Sequence, residues 1–134
     1  MARNDDHSGW LACRGVRGAT TTPENTQEAI LSSTRELLEQ IAGENDIHPD
    51  DVASVMFTVS PDLDAEYPAL AARQMGWNQV PLMCAQEINK PGALPRAIRV
   101  LMHWNTAVPQ SEIIHVYIQG AEVLRPDQAA RQAK

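Results

Sequence analysis

A long amphipathic segment set among short β-branched runs limits how this chain can fold. Ile30, Leu37, Leu38 and Ile41 recur at i, i+7, i+8 and i+11, one apolar stripe at helical spacing. Thr22 followed by Pro23 has the form of an N-cap and first-turn pair, and Glu24 and Glu28 suit the positive end of a helix. With Gly43 at its end, the pattern predicts a helix over residues 23–43. Such a stripe must be buried against another layer, and the flanking chain offers strands for it. Residues 13–18, 52–60 (VASVMFTVS), 80–84 and 113–118 (IIHVYI) have strand composition, and 122–124 continues the sheet. Pro68 opens a second, short helix over 69–75, closed by Gly76.

Residues 94–106 are long enough for either helix or strand. Their alternation and their Val, Ile and Trp content favour a strand, with Ala97, Arg99, Leu101 and His103 on one face. The order β-α-β-α-β-β-β predicts an α+β domain, a mixed β-sheet with two helices on one face. The other face is too apolar for solvent, so oligomerisation is expected to cover it.

At 134 residues the chain has room for one core. Residues 1–12 read as a flexible leader, 13–127 as the domain and 128–134 as a flexible tail. A net charge of -6 argues against nucleic acid, whose binders need a basic face. No apolar run approaches the roughly 20 residues of a membrane span, and the polar start has no signal-peptide core. Cys13 and Cys84 make no disulfide framework, which fits a reduced compartment, and a cytoplasmic location is expected. His7, His48, His103 and His115 lack metal-ligand spacing, so no metal is expected. There is no P-loop, dinucleotide fingerprint or nucleophile elbow.

The basic residues are unusual in kind: nine arginines against two lysines. Base composition of the genome accounts for such a bias as readily as selection for bidentate anion recognition does. The run Arg14-Gly15-Val16-Arg17-Gly18-Ala19-Thr20-Thr21 sets two guanidiniums between glycines, the look of an anion grip. Arg17, Cys84, Glu87, Arg99 and Tyr117 form a polar set on or beside strands, with Arg14, Arg73 and Arg125 of similar type. Each has a plain reading: Arg17 on a strand surface, Glu87 solvated, Cys84 a small buried hydrophobe, Tyr117 core. Arg99 differs, because it lies inside the apolar run 98–102, which should be buried. A buried guanidinium needs an anion or a wet cavity. The residues alone reach a site for a small dianion.

That arginine run, together with Pro61-Asp62-Leu63, Tyr67-Pro68-Ala69, Gly76-Trp77, Cys84-Ala85-Gln86-Glu87, Ile98-Arg99-Val100, Val108-Pro109-Gln110, His115-Val116-Tyr117 and Val123-Leu124-Arg125-Pro126-Asp127, resembles the AroH-class monofunctional chorismate mutases. The likeness runs in order over about residues 13–127. It implies a homotrimer forming a pseudo-α/β barrel, with sites at subunit interfaces. It also implies a cofactor-free [3,3] rearrangement of chorismate to prephenate, on the route to phenylalanine and tyrosine. By the same resemblance Arg17, helped by Tyr117, binds a substrate carboxylate, and Arg99 meets the ether oxygen and the enolpyruvyl carboxylate. Glu87 and Cys84 hydrogen-bond the ring hydroxyl, and Tyr67 comes from the adjacent subunit. Arg73 and Arg125 lie near the pocket mouth and Leu124 forms a wall. Leu70 departs from the pattern, standing where a lysine is found, and Leu82 and Met83 replace smaller or more polar residues. A non-catalytic trimeric binding protein and a reactive-intermediate deaminase of similar architecture are the other readings.

Overall fold

The structure, a computed structural model, describes residues 10–132. Most of the expected leader therefore lies outside the described residues. Strand β1 (Ala12–Thr21) is followed by helix α1 (Gln27–Asn45), strand β2 (Val52–Val59) and helix α2 (Ala69–Gln74). Strands β3 (Leu82–Gln86), β4 (Ala97–Thr106) and β5 (Val116–Tyr117) and helix α3 (Pro126–Gln132) complete the order. The five strands form one mixed sheet in the order β3-β2-β4-β1-β5. β4 runs antiparallel to both β1 and β2, whereas β3 is parallel to β2 and β5 to β1. The expected mixed α+β architecture is what the chain adopts.

α1 buries Ile30, Thr34, Leu37, Leu38 and Ile41, the predicted stripe. With α2 it packs on one face of the sheet, against Val16, Val55, Phe57, Val100, Met102 and Trp104. The helix starts later than predicted. Thr26, extended at φ -133° and ψ 157°, accepts from the Ala29 backbone N–H and is the N-cap. Thr22 is instead held at the sheet, its N–H donating to Arg96 O over 2.9 Å. Gly43 stays inside the helix, and left-handed Asp46 (φ 55°) closes it.

Other boundaries also move. The third strand begins at Leu82 rather than at 80, and the fifth shrinks to Val116–Tyr117. Residues 122–124 do not continue the sheet. They lie in a 3₁₀ turn, Ala121–Leu124, entered through Gly120 at φ 91°. Residues 126–132 are helical, and this third helix lies on the other sheet face: Ala129 and Leu124 pack on Ala19 and Tyr117. That face is thus covered at its β5 end, while Met56, Leu101 and Met83 remain exposed on it.

Candidate active site

Strand alternation decides which side chains share the open face. In β4, Ile98, Val100, Met102 and Trp104 are buried toward the helices, and Arg99 and Leu101 are exposed opposite them. Arg99 is therefore not buried in an apolar run, as its neighbours in sequence suggested. Its side chain keeps 44% of its exposure, because the period of two turns it away from the core.

The registers then set out two adjacent rows. Arg99 pairs with Thr58 on β2 and Ala19 on β1, and Ala19 pairs with Tyr117 on β5. One step along, Leu101 pairs with Met56 and Arg17. Arg17, Arg99, Tyr117, Thr58 and Met56 consequently line one cleft of about 300 Å³ together with Glu87. Glu87 reaches it from just beyond β3, where its N–H donates to Val59 O over 2.9 Å. The Thr58 hydroxyl donates to Glu87 Oε2 at 2.5 Å, and the same oxygen lies 4.0 Å from Arg99 Nη1. Two cations and one oriented carboxylate thus face one apolar-floored space. The backbone N–H of Arg17 donates to His115 Nδ1 at 2.9 Å, so that ring nitrogen accepts and the tautomer is fixed.

Arg14 is not part of this cleft. It pairs with Trp104, on the helix side of the sheet, so the two arginines of the opening run point to opposite faces. Gly18 also faces the helices: a Cβ there would lie 2.6 Å from Ile41 Cδ1, so β1 and α1 approach through its missing side chain. Gly15 carries no such demand, with Leu101 at 3.8 Å the nearest atom.

Leu124 lines an adjoining cleft of about 250 Å³ with Glu87, Arg99, Ser60 and Ala97. Arg125 forms a two-point pair with Asp127, Nε to Oδ1 at 3.1 Å and Nη2 to Oδ2 at 2.9 Å. That hydrogen bonding lowers the Asp127 carboxyl from 3.8 to about 2.

The remaining expected residues gather elsewhere. Cys84 pairs with Phe57 and faces the helix side, so within one chain it does not stand beside Glu87. It opens with Tyr67 onto a separate cleft of about 560 Å³, rimmed by Asp64 and Glu66. Burial pushes the Cys84 thiol up, against the opposing pull of the Ala69 backbone and the charge of Arg73. Tyr67 is 69% exposed, a large aromatic left in the open by its own chain. Of the departures, Leu82 packs against the core and Met83 extends the exposed apolar face. Among the described residues no group of three or more His, Cys, Asp or Glu could hold a metal ion, and no helix is long and apolar enough to cross a membrane.

Sequence reasoning missed Thr58, Met56 and His115. Thr58 and Met56 were legible as alternate positions of one strand, but only cross-strand register says which face they share with Arg99.

The family model for chorismate mutase type I matches residues 13–128. The chain belongs to the type I chorismate mutase family. It is 50% identical over 120 residues to chorismate mutase AroH of Thermus thermophilus, covering 89% of this chain and 98% of that protein. It is 48% identical over 118 residues to chorismate mutase AroH of Bacillus subtilis strain 168, covering 87% and 93%. A solved chorismate mutase from Clostridium thermocellum superposes with a TM-score of 0.80 at 49% identity, covering 81% of this chain and 97% of that one. Likeness at this level and coverage extends across both clefts.

Proposed function

We propose that this protein rearranges chorismate to prephenate without a cofactor, and that three copies assemble so that each site is completed at an interface between two of them. The observation that carries this reading is the convergence of Arg17, Arg99, Glu87 and Tyr117 on one cleft. Chorismate is a dianion carrying an ether and a ring hydroxyl. Arg17 and Tyr117 hold one carboxylate and fold the side chain over the ring, which lowers the entropy cost of the chair-like transition state. Glu87, oriented by Thr58, accepts from the ring hydroxyl.

Arg99 supplies the chemistry. As the C–O bond breaks, negative charge grows on the ether oxygen, and a fixed guanidinium there stabilises the transition state more than the ground state. Arginine suits this role because it cannot lose its proton.

The second cleft supports the need for more than one copy. Tyr67 and Cys84 line it, with Arg73 close to the Cys84 thiol, and they do not reach the first cleft within a chain. Packing of the exposed Met56, Leu101 and Met83 face against another copy would bring the two clefts together, with Cys84 as well as Tyr67 supplied by the neighbour. Leu124 walls the pocket, and Arg73 and Arg125 sit at its mouth.

The test is loss of chorismate absorbance with purified protein and prephenate as product. Replacing Arg99 with Ala, or with a neutral isostere of arginine, is expected to lower kcat at least 10²–10³-fold, about 3–4 kcal/mol, while substrate still binds. Near-full kcat in the neutral isostere would overturn the electrostatic account. No turnover by the unaltered protein would favour a binding protein instead.

A further inference from the structure

We propose that Asp62 is a positioning residue for the Arg99–Glu87 pair, acting through the backbone of Arg96 and the hydroxyl of Ser60. This inference rests on the mutase reading above, since it assigns Arg99 a task that depends on its placement.

The ends of three strands meet beside the cleft. Thr22 N–H donates to Arg96 O, and Ser60 N–H donates to Ala97 O, each over 2.9 Å. Those bonds tie the exit of β1 and the exit of β2 to the entrance of β4. Arg96, the residue before β4, has a left-handed φ of 49°, an unfavourable conformation for a side chain of its size. Something must hold it there. The Asp62 carboxylate accepts from the Arg96 N–H through both oxygens, at 2.9 and 3.2 Å. It also accepts from the Ser60 hydroxyl, whose oxygen in turn accepts from the Ala97 N–H at 2.9 Å. The Arg96 side chain closes the other side, Nε donating to Thr22 O at 3.1 Å.

One carboxylate therefore fixes the backbone on both sides of the 96–97 peptide. Arg99 follows two residues after Ala97, and Glu87 is anchored by its N–H to Val59, the residue before Ser60. Ser60, Ala97, Glu87 and Arg99 line the same cleft. A shift at this clamp would therefore change where the guanidinium and the carboxylate stand relative to each other. Desolvation opposes ionisation of Asp62, but the Ser60 hydroxyl and the Arg96 N–H outweigh it and hold its carboxyl below the usual value. The clamp is thus charged and closed at neutral pH. Asp62 lines neither cleft that holds Arg99, so a direct contact with substrate there is not its role.

The experiment measures kcat, KM and thermal midpoint for the unaltered protein, Asp62→Ala, Asp62→Asn and Ser60→Ala. A misplaced transition-state donor lowers kcat more than it weakens ground-state binding. Asp62→Ala is expected to lower kcat on the order of 10- to 100-fold and to change KM by much less. Asp62→Asn keeps an acceptor oxygen and is expected to restore kcat to within about threefold, showing that geometry and not charge matters. Ser60→Ala cuts only the Ala97 arm and is expected to show a smaller loss of the same kind, so the idea stays testable if Asp62→Ala folds poorly. A lower thermal midpoint with unchanged kcat per folded protein would make Asp62 purely structural and overturn the proposal. Equal loss in Ala and Asn would do the same. Absence of turnover by the unaltered protein would sink the mutase reading itself, a separate outcome.

Discussion

At Gly18 a Cβ would sit 2.6 Å from Ile41 Cδ1 and 3.2 Å from both Leu37 Cδ1 and Val116 O. The helix-side contacts are core side chains and the third is backbone of the neighbouring strand, so none can swing aside freely. Gly18→Ala is therefore expected to cost about 1–3 kcal/mol through overpacking, read as a lower urea midpoint with an unchanged slope. An unaltered midpoint would mean that α1 shifts without cost. The same single-residue logic separates the two arginines of that strand. Arg14 and Arg17 are three apart, an odd spacing, so in a strand they point to opposite faces. A sequence reading could tell that one belonged to the cleft, since strand period alone excludes both. Arg99 was harder to place from its neighbours, because an apolar run of five suggests burial on both sides. The alternation inside that run, visible once β4 is known to be half-covered, puts Arg99 on the accessible face.

At the scale of elements, the central parts of the five strands and of α1 and α2 were legible and their ends were not. The stripe of α1 follows from side-chain period, which the chain carries locally. Its start does not, since Thr22 and Thr26 are both good caps and the choice between them depends on the Arg96 carbonyl that captures Thr22 N–H. The last helix was not legible at all. Its polar, Ala- and Gln-rich sequence has no stripe, so nothing local predicts that Ala129 docks near Tyr117. At its entrance Arg125 binds Asp127, which lies in the first helical turn, where a negative charge is favoured. The Asp127 carboxyl is held at about 2, against 3.8 ordinarily, chiefly by the Arg125 hydrogen bonds. A group lowered in this way contributes above its ordinary value and loses that contribution as pH falls through its folded value. The pair is accordingly expected to persist at pH 4 and open near pH 2. Carboxyl chemical shifts of Asp127 followed against pH would check this, and a midpoint near 4 would show that Arg125 is not engaged. Because both are exposed, the effect on overall stability is expected to be small.

For the whole molecule, the exposed apolar face is where the proposed assembly would form. Met83 keeps 61% of its exposure on the edge of the open sheet face, with Met56 beside it in register. If three copies bury this face, a carboxylate at position 83 would be placed in an apolar interface without a partner, at several kcal/mol. Met83→Glu is expected to leave circular dichroism unchanged, since the side chain points away from the core, and to lower the molecular mass in solution. Turnover should fall with the mass and return as protein concentration rises. A variant of unchanged mass and full activity would remove this face from the assembly. Met83 and Tyr67 are both exposed in the single chain, and the proposed assembly would cover them.

The sequence by itself determined the mixed α+β class, the apolar stripe of the main helix, the strand carrying Arg99 and the set of residues that resemble the mutase family. The first three follow from periodicity and residue type, which are local, and the resemblance follows from motifs matched in order along the chain. Tertiary structure alone decided that Glu87 is aimed by Thr58 and that Arg96 is bent around Asp62. It also divided the expected site into two clefts, with Cys84 and Tyr67 apart from Arg99. Those facts depend on register between strands far apart in the chain. A shift of one residue would turn the strand side chains Thr58, Cys84 and Arg99 to the opposite face.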